Sequence, residues 1–209
     1  MPKDKIALQG EDSFKAEMFK EFSDTIEDNA LYVATTGSDS NAGTIDKPFA
    51  TVQKALDTVK AGQTIYVRGG TYNALNSFKT SGSEGKYITL RNYPNETPFL
   101  TCTTGTNGAI LLLNGCNYIK IYGLEIGGHS AEQAYGILIN DCENHIIISN
   151  NHIHNLLTTK PGENENGEAN GILLFGEGKT DETSINNICI ENNNIHNNTT
   201  GWSETLSTS

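Results

Sequence analysis

One insertion in the C-terminal half of the chain concentrates side chains that could carry chemistry. The segment 156–170, LLTTKPGENENGEAN, contains Lys160 followed by Glu163, Glu165 and Glu168. Carboxylate oxygens are the ligands that calcium prefers in proteins, and a lysine can act as a general base when its pKa is lowered. The residue types make calcium the candidate cofactor, the three glutamates its candidate ligands and Lys160 the candidate catalytic base. A solvated acidic loop is the simpler interpretation of the same residues.

The composition excludes several classes of protein. The 209 residues carry a net charge of −11, and the 14 lysines and arginines are scattered, which argues against nucleic acid as a partner. No apolar run approaches the roughly 18 residues needed to cross a bilayer, and the first residues lack the pattern of a secretory signal. The four cysteines show no CxxC spacing and are too few for a disulfide scaffold. One globular domain is the expectation.

A repeated pattern indicates the elements that must position these side chains. NHIIISNNHIHN at 144–155 reappears as NNICIENNNIHN at 186–197, and YIKIYGLEI at 118–126 follows the same pattern. Sequence periods of roughly 20 to 50 residues are typical of solenoids, in which each repeat stacks on its neighbours. Aligning the segments predicts three stacked apolar columns: Ile119, Ile146 and Ile188; Ile121, Ile148 and Ile190; Ile126, Ile153 and Ile195. The earlier segment YITLRNY adds Ile88 and Leu90 to the first two columns.

Asparagine and glycine mark the bends between the repeated strands. One column contains Asn92, Gly123, Asn150 and Asn192, and these are the two residue types that most readily adopt positive φ. We therefore expect a tight bend at this column in each coil.

Polar residues that recur with the repeat are expected to be structural. Asn151 lies over Asn193 in the alignment, so the two amides can hydrogen-bond from coil to coil and satisfy buried backbone groups. His154 and His196 also share a column. Their recurrence favours a packing or turn role over a metal site.

A second family of strands precedes these rows. Its members are GAILLLNGC at 108–116, YGILINDC at 135–142, NGILLFGEG at 170–178 and, as an expected fourth, GWSETL at 201–206. Helix signals are confined to the first part of the chain, where Pro48 is expected to begin a helix that Gly62 ends. Strand-only repeats with variable insertions predict an all-β fold, a parallel β-helix or β-solenoid. We expect a helical leader or linker over 1–29 and the β-helix domain over 30–209.

The segment 31–72, LYVATTGSDSNAGTIDKPFATVQKALDTVKAGQTIYVRGGTY, resembles the opening of the pectin-lyase-like right-handed β-helix proteins. That superfamily includes pectate lyases and alginate lyases. The resemblance implies a right-handed coil and makes residues 48–60 the N-terminal helix that caps it. Calcium-binding pectate lyases have a cluster of aspartates, and this chain has no Asp-Asp-Gly cluster. No catalytic residue is therefore assigned by motif.

The resemblance implies a protein that acts on carbohydrate outside the cell or at its surface. The expected activity is that of a polysaccharide lyase, which cleaves an acidic, pectate-like glycan by calcium-assisted β-elimination as a monomer; a hydrolase with paired carboxylates is a variant of this hypothesis. The alternative is a non-catalytic β-helix that binds carbohydrate or serves as a surface or adhesin module.

Further candidate substrate-binding residues lie at the predicted strand edges. They are Lys179, Trp202 and Glu204. Trp202 is the only tryptophan and could stack on a sugar ring, but the repeat register places it over Ile172 in an inward column, which favours core packing. The segment GWSETLSTS begins a new strand without covering the edge of the coil, so we expect the sequence to be the N-terminal part of a longer protein.

Overall fold

The computed structural model describes residues 26–141, 144–160, 167–175 and 186–199. Within these ranges the chain forms fifteen strands and one helix. Almost all of the leader predicted over 1–29 lies outside the described residues, and so does the strand predicted at 201–206. No helix in the described part of the chain is long and apolar enough to cross a membrane.

The strands form three parallel sheets, and the chain passes through them in a fixed order. Each complete coil passes through sheet A, then sheet C, then sheet B, whose strands are as follows. Sheet A contains β1 (Leu31–Val33), β2 (Thr64–Val67), β5 (Ile88–Asn92), β8 (Ile119–Tyr122), β11 (Asn144–Ser149) and β14 (Asn186–Glu191). Sheet B contains β4 (Asn76–Phe78), β7 (Gly108–Asn114), β10 (Gln133–Asn140) and β13 (Glu168–Phe175). Sheet C contains β3 (Gly70–Asn73), β6 (Pro98–Thr101), β9 (Glu125–Ala131), β12 (His152–Thr158) and β15 (Asn194–His196).

The predicted apolar columns are confirmed by the strand register. Ile146 pairs with Ile119 on one side and with Ile188 on the other, and Ile88 extends this column to β5. The other two columns pair in the same way: Leu90, Ile121, Ile148 and Ile190; Ile126, Ile153 and Ile195. Because successive side chains of a strand point to opposite faces, these columns fill the inside of the coil. The fold is therefore a parallel β-helix, as predicted.

The predicted bend column is confirmed at three of its four positions. Gly123, Asn150 and Asn192 have φ values of 68°, 56° and 54°. Asn92 is the exception, because it is not among the residues with positive φ and still pairs with Val67 at the end of β5. Its Oδ1 atom occupies the space that a Cβ on Gly123 would need. Glycine is thus required at 123 both for its conformation and for this close approach.

Three further bend columns were not predicted from the sequence. All their members have positive φ: Tyr118, His145 and Asn187; Gly128, Asn155 and Asn197; Gly115 and Asp141. The strand register places the members of each column in neighbouring coils. Tyrosine rarely adopts this conformation, so the residue type of Tyr118 gave no signal of a bend.

The predicted asparagine ladder is also confirmed. Asn151 is buried, and its Oδ1 accepts a hydrogen bond from the backbone N–H of Leu124 in the preceding coil at 3.1 Å. Its own backbone N–H donates to Oδ1 of Asn193 in the following coil at 3.0 Å. The Nδ2 atoms of the two asparagines donate to the carbonyls of Ile121 and Ile148. Each amide therefore satisfies backbone groups at a bend, where the strand ladder is interrupted.

The helix is shorter than the sequence predicted. It covers Val52–Thr58 (α1), and Thr51 is its N-cap. Phe49 precedes it and instead extends the edge of sheet A, since its N–H donates to the carbonyl of Tyr32 at 2.9 Å. Asp39 fixes this junction by accepting hydrogen bonds from the N–H groups of Ala50 and Thr51. Burial would raise the pKa of Asp39, but these bonds and the Thr51 hydroxyl outweigh it and lower the pKa.

Candidate functional site

The insertion predicted to carry the chemistry leaves and rejoins the coil beside Glu132. The hydroxyl of Thr158 donates to the carbonyl oxygen of Glu132 at 2.8 Å, and the backbone N–H of Glu168 donates to the same oxygen at 3.0 Å. Lys160 and Glu168 therefore both lie beside Glu132, at the start of the sheet B strands. Glu163 and Glu165, the other two candidate metal ligands, lie outside the described residues.

Lys160 is held in an ion pair. Its Nζ donates to Oε1 of Glu132 at 2.7 Å, and both side chains are partly exposed. The hydrogen bond from Lys160 lowers the pKa of the Glu132 carboxyl.

Glu168 has a tyrosine partner. Its Oε2 accepts a hydrogen bond from the hydroxyl of Tyr135 at 2.9 Å. Burial, followed by the neighbouring carboxylate of Glu168, raises the pKa of Tyr135 to about 12, so the phenol stays protonated and remains a donor. A carboxylate offers about four acceptor sites, and the Tyr135 contact leaves Glu168 with capacity for a cation.

The predicted substrate-binding residues Lys179, Trp202 and Glu204 all lie outside the described residues. Asp141, another acidic residue at a strand edge, lies where the backbone turns. It lies in a bend column with a φ of 50°, and its N–H donates to the carbonyl of Phe175 at 3.1 Å.

A groove on the outside of the coil passes between β9, β12 and the residues after β15. Its volume is about 540 Å³, and polar groups of Ser130, Asn155, Asn197 and Thr199 line it beside Leu157. Leu157 is 45% exposed. An apolar surface surrounded by hydroxyl and amide groups suits a ligand with one apolar face and many hydroxyls. Along β12 the groove lies between His154 and the Lys160 ion pair.

Three histidines and one glutamate converge on the outer face of sheet C. Glu125 lies next to His152 in the strand register, and His154 lies next to His196. The Nε2 atoms of His152 and His196 are 2.8 Å apart, and Nε2 of His154 is 3.0 Å from Oε1 of Glu125. We call these four residues the histidine cluster. The ring of Phe99 stacks on His154 with centroids 6.0 Å apart.

Sequence reasoning missed this cluster. It recognised the column of His154 and His196 but assigned it a structural role, and it left out the column of Glu125 and His152, whose residue types differ between coils. The available signal was the alternation His152-Ile153-His154, because alternate residues of a strand share a face. Burial, and then the neighbouring His154 and His196, lower the pKa of His152, so this imidazole is neutral at neutral pH.

A family model and a curated relative both relate this chain to Pel9-type proteins. Residues 31–203 match the model of a family described as the Pel9A-like right-handed β-helix region. The uncharacterized protein YwoF of Bacillus subtilis is 37% identical over 145 residues, which are 66% of this chain and 31% of the relative. Pectate lyase PEL9 of Emericella nidulans is 30% identical over 162 residues, which are 70% of this chain and 36% of that protein. The chain thus spans about a third of the length of these relatives.

The solved structure of GH136 lacto-N-biosidase from Eubacterium ramulus shares the fold. It superposes with a TM-score of 0.65 over 81% of this chain and 34% of that chain, at 17% sequence identity. At this identity the similarity concerns the architecture alone. The family match and the similarity to pectate lyase PEL9 confirm the right-handed β-helix and the pectin-lyase-like resemblance.

Proposed function

Since this chain belongs to the Pel9A-like right-handed β-helix family, we propose that it acts on an acidic polysaccharide by calcium-assisted β-elimination. The observation that supports this proposal most strongly is the 30% identity, over 70% of this chain, to a protein named as a pectate lyase. An enzyme of this type works where its polymer is, so we place it outside the cell or at the cell surface.

The charge of the protein supports a bridging cation. A chain with a net charge of −11 repels a polyuronate, so the two polyanions need a divalent cation between their carboxylates. Calcium bound to Glu163, Glu165 and Glu168 would hold the sugar carboxylate and withdraw its negative charge. Of these ligands the structure describes Glu168, whose Tyr135 contact leaves acceptor capacity.

The proposed elimination uses Lys160 as the base. Neutral Nζ would take the proton from the carbon next to the sugar carboxylate, and the electron pair would form a carbon–carbon double bond. The glycosidic oxygen would leave from the neighbouring carbon with its bonding electrons and take a proton from water. Lys160 is paired with Glu132 in the structure. The proposal therefore requires the cation or the substrate to weaken this pair before Lys160 can give up its own proton.

The groove beside the ion pair is the proposed sugar site. Its 540 Å³ is within the range of small-ligand sites. Leu157 would contact the apolar face of a sugar ring, and Ser130, Asn155 and Thr199 would hydrogen-bond its hydroxyls.

The test is the ultraviolet absorbance of unsaturated products when the purified chain is incubated with polygalacturonate or alginate, with calcium or with chelator. We expect calcium-dependent product from the wild type and a loss of at least about 100-fold in Lys160→Ala, as for a missing general base. Lys79→Ala is the matched control, because Lys79 makes a similar ion pair with Asp57 at 2.8 Å outside the site. Equal activity in both variants would refute the role of Lys160.

A non-catalytic carbohydrate-binding module is the second candidate function. The Lys160–Glu132 pair favours it, since a protonated lysine in an ion pair is a poor base. Retention on an acidic glycan without any unsaturated product would support binding alone, and product formation would exclude it. A calcium-dependent rise in melting temperature, lost in the Glu163→Ala, Glu165→Ala, Glu168→Ala triple variant, would support the proposed metal ligands in either case.

A further inference from the structure

We propose that the histidine cluster, Glu125, His152, His154 and His196, is a binding site for a divalent transition-metal ion of the zinc class. The site differs in place and chemistry from the calcium site considered above. It lies on the outer face of sheet C, and three of its four donor atoms are imidazole nitrogens. The proposal does not depend on lyase activity.

The fold positions the four donors without any loop. His152 and His154 are two residues apart on β12, so they point to the same face of the strand. Parallel pairing then sets Glu125 beside His152 on one side and His196 beside His154 on the other. All four side chains therefore come from strands whose backbones are fixed by the ladders of the sheet.

The distances fit one shared ion. The donor atoms of Glu125, His152 and His154 all lie within 4.8 Å of one another. His196 is outside this group of three, but its Nε2 lies 2.8 Å from that of His152, so it is the candidate fourth donor. In tetrahedral zinc sites, metal–nitrogen bonds of about 2.0 to 2.1 Å place the donors roughly 3.3 Å apart. The proposed site therefore requires the side chains of Glu125, His152 and His154 to close around the ion, and His196 to move toward it.

The donor set selects the class of metal. Imidazole nitrogen suits zinc, copper, nickel and cobalt, whereas calcium takes oxygen ligands. Among the described residues, this is the one place where three or more histidine, cysteine or acidic side chains converge closely enough to hold a metal. Glu125 and His154 retain 29% and 12% of their side-chain exposure, so an ion can reach them from solvent.

The consequence of binding is a cross-link between three consecutive coils. β12 and β15 pair over only three residues, and an ion held by His152, His154 and His196 would join them directly. Glu125 would extend the link to β9. Because the folded coil alone brings these donors together, metal binding stabilises the folded state by mass action.

The experiment uses the full chain after treatment with chelator, and zinc and cobalt as probes. We expect one zinc per chain in equilibrium dialysis, a rise in melting temperature with zinc, and a visible absorption band with cobalt. Excess calcium should not displace either metal, which distinguishes this site from the proposed calcium site.

His152→Asn is the test variant, because Asn194 occupies the same column in the next coil and shows that asparagine fits there. His145→Asn is the matched control, since His145 lies on sheet A and Asn187 takes its place in the next coil. We expect zinc affinity to fall at least tenfold in His152→Asn and to be unchanged in His145→Asn. The two variants should have the same melting temperature in chelator.

Two outcomes would overturn the proposal. One is the absence of stoichiometric zinc or cobalt binding by the wild type, which would make the cluster a hydrogen-bonded histidine stack. The other is equal affinity in the wild type and His152→Asn, which would place the metal elsewhere. Glu125→Gln gives a second test, because it removes the carboxylate charge while keeping the shape of the side chain, and it should also weaken binding.

Discussion

At the scale of single residues, the columns of the β-helix assign different tasks to similar side chains. Asn150 and Asn192 turn the backbone, whereas Asn151 and Asn193, one residue further on, hydrogen-bond between coils. The difference lies in φ and in burial, since Asn151 is 2% exposed and Asn150 is exposed. The position within the coil therefore decides what each asparagine contributes.

Asn150→Val should destabilise the fold by roughly 1 to 2 kcal/mol, because a β-branched residue is strained at a φ of 56°. The measurement is equilibrium unfolding in urea. Asn150→Gly is the control, and it should be close to neutral because Gly123 occupies the same column in the preceding coil. Similar losses in both variants would mean that the asparagine side chain, and not the backbone conformation, stabilises this bend.

At the scale of elements, connections between strands are fixed by side chains that reach from one coil to the next. Nε and Nη2 of Arg68, after β2, donate to the carboxylate of Glu96, before β6. The same carboxylate accepts the backbone N–H of Gly69 at 2.6 Å. The guanidinium also lies over the ring of Tyr93, 4.4 Å from its centroid. One carboxylate therefore joins two consecutive bends between sheets A and C.

This contact predicts a specific dependence of stability on pH. The hydrogen bond from Arg68 lowers the pKa of Glu96 below its ordinary value of 4.5. A carboxyl with a lowered pKa in the folded state stabilises that state above its ordinary pKa, and the contribution is lost as the pH falls through the folded value. Glu96→Gln should therefore be less stable than the wild type at pH 7, and the difference should shrink below about pH 4.5.

Urea unfolding at a series of pH values measures this difference. Glu84→Gln, a change at an exposed glutamate, is the matched control and should leave the pH profile unchanged. A Glu96→Gln deficit that stays constant down to pH 3 would show that the carboxylate charge is not what joins the two bends.

At the scale of the whole molecule, each coil depends mainly on its neighbours. The column of Ile121, Ile148 and Ile190 shows how protection varies along the axis, since the first two side chains are fully buried and Ile190 is 41% exposed. Ile195 is likewise 44% exposed, whereas Ile153 above it is buried. In repeat proteins stability is roughly the sum of such local contributions.

Amide hydrogen exchange should follow this gradient. We expect the amides of β8 and β11 to exchange more slowly than those of β14 and β15, because local opening costs less where few apolar contacts are lost. Exchange measured by mass spectrometry on peptides from each strand tests this directly. Uniform protection across the four strands would indicate that the coil opens only as one cooperative unit.

Much of the architecture could be predicted because each coil of a β-helix repeats the same pattern of residue types. Stacking places equivalent residues of successive coils in contact, so the columns of isoleucine in the sequence became columns in the structure. The bend at Gly123, Asn150 and Asn192 was predictable because asparagine and glycine are the residue types that most readily adopt positive φ. The bend at Tyr118 was not, because tyrosine rarely adopts positive φ.

The site residues divide in the same way. The sequence indicated the position of the insertion, and the structure shows Lys160 and Glu168 on either side of Glu132, bonded to its carboxylate and its carbonyl oxygen respectively. The partners of those residues, Glu132 and Tyr135, were decided by the tertiary structure. The histidine cluster was decided there too, because a parallel register joins side chains that are 27 to 44 residues apart in the chain. A strand pattern specifies which face a residue occupies, and only the stacking of coils specifies which residues it meets on that face.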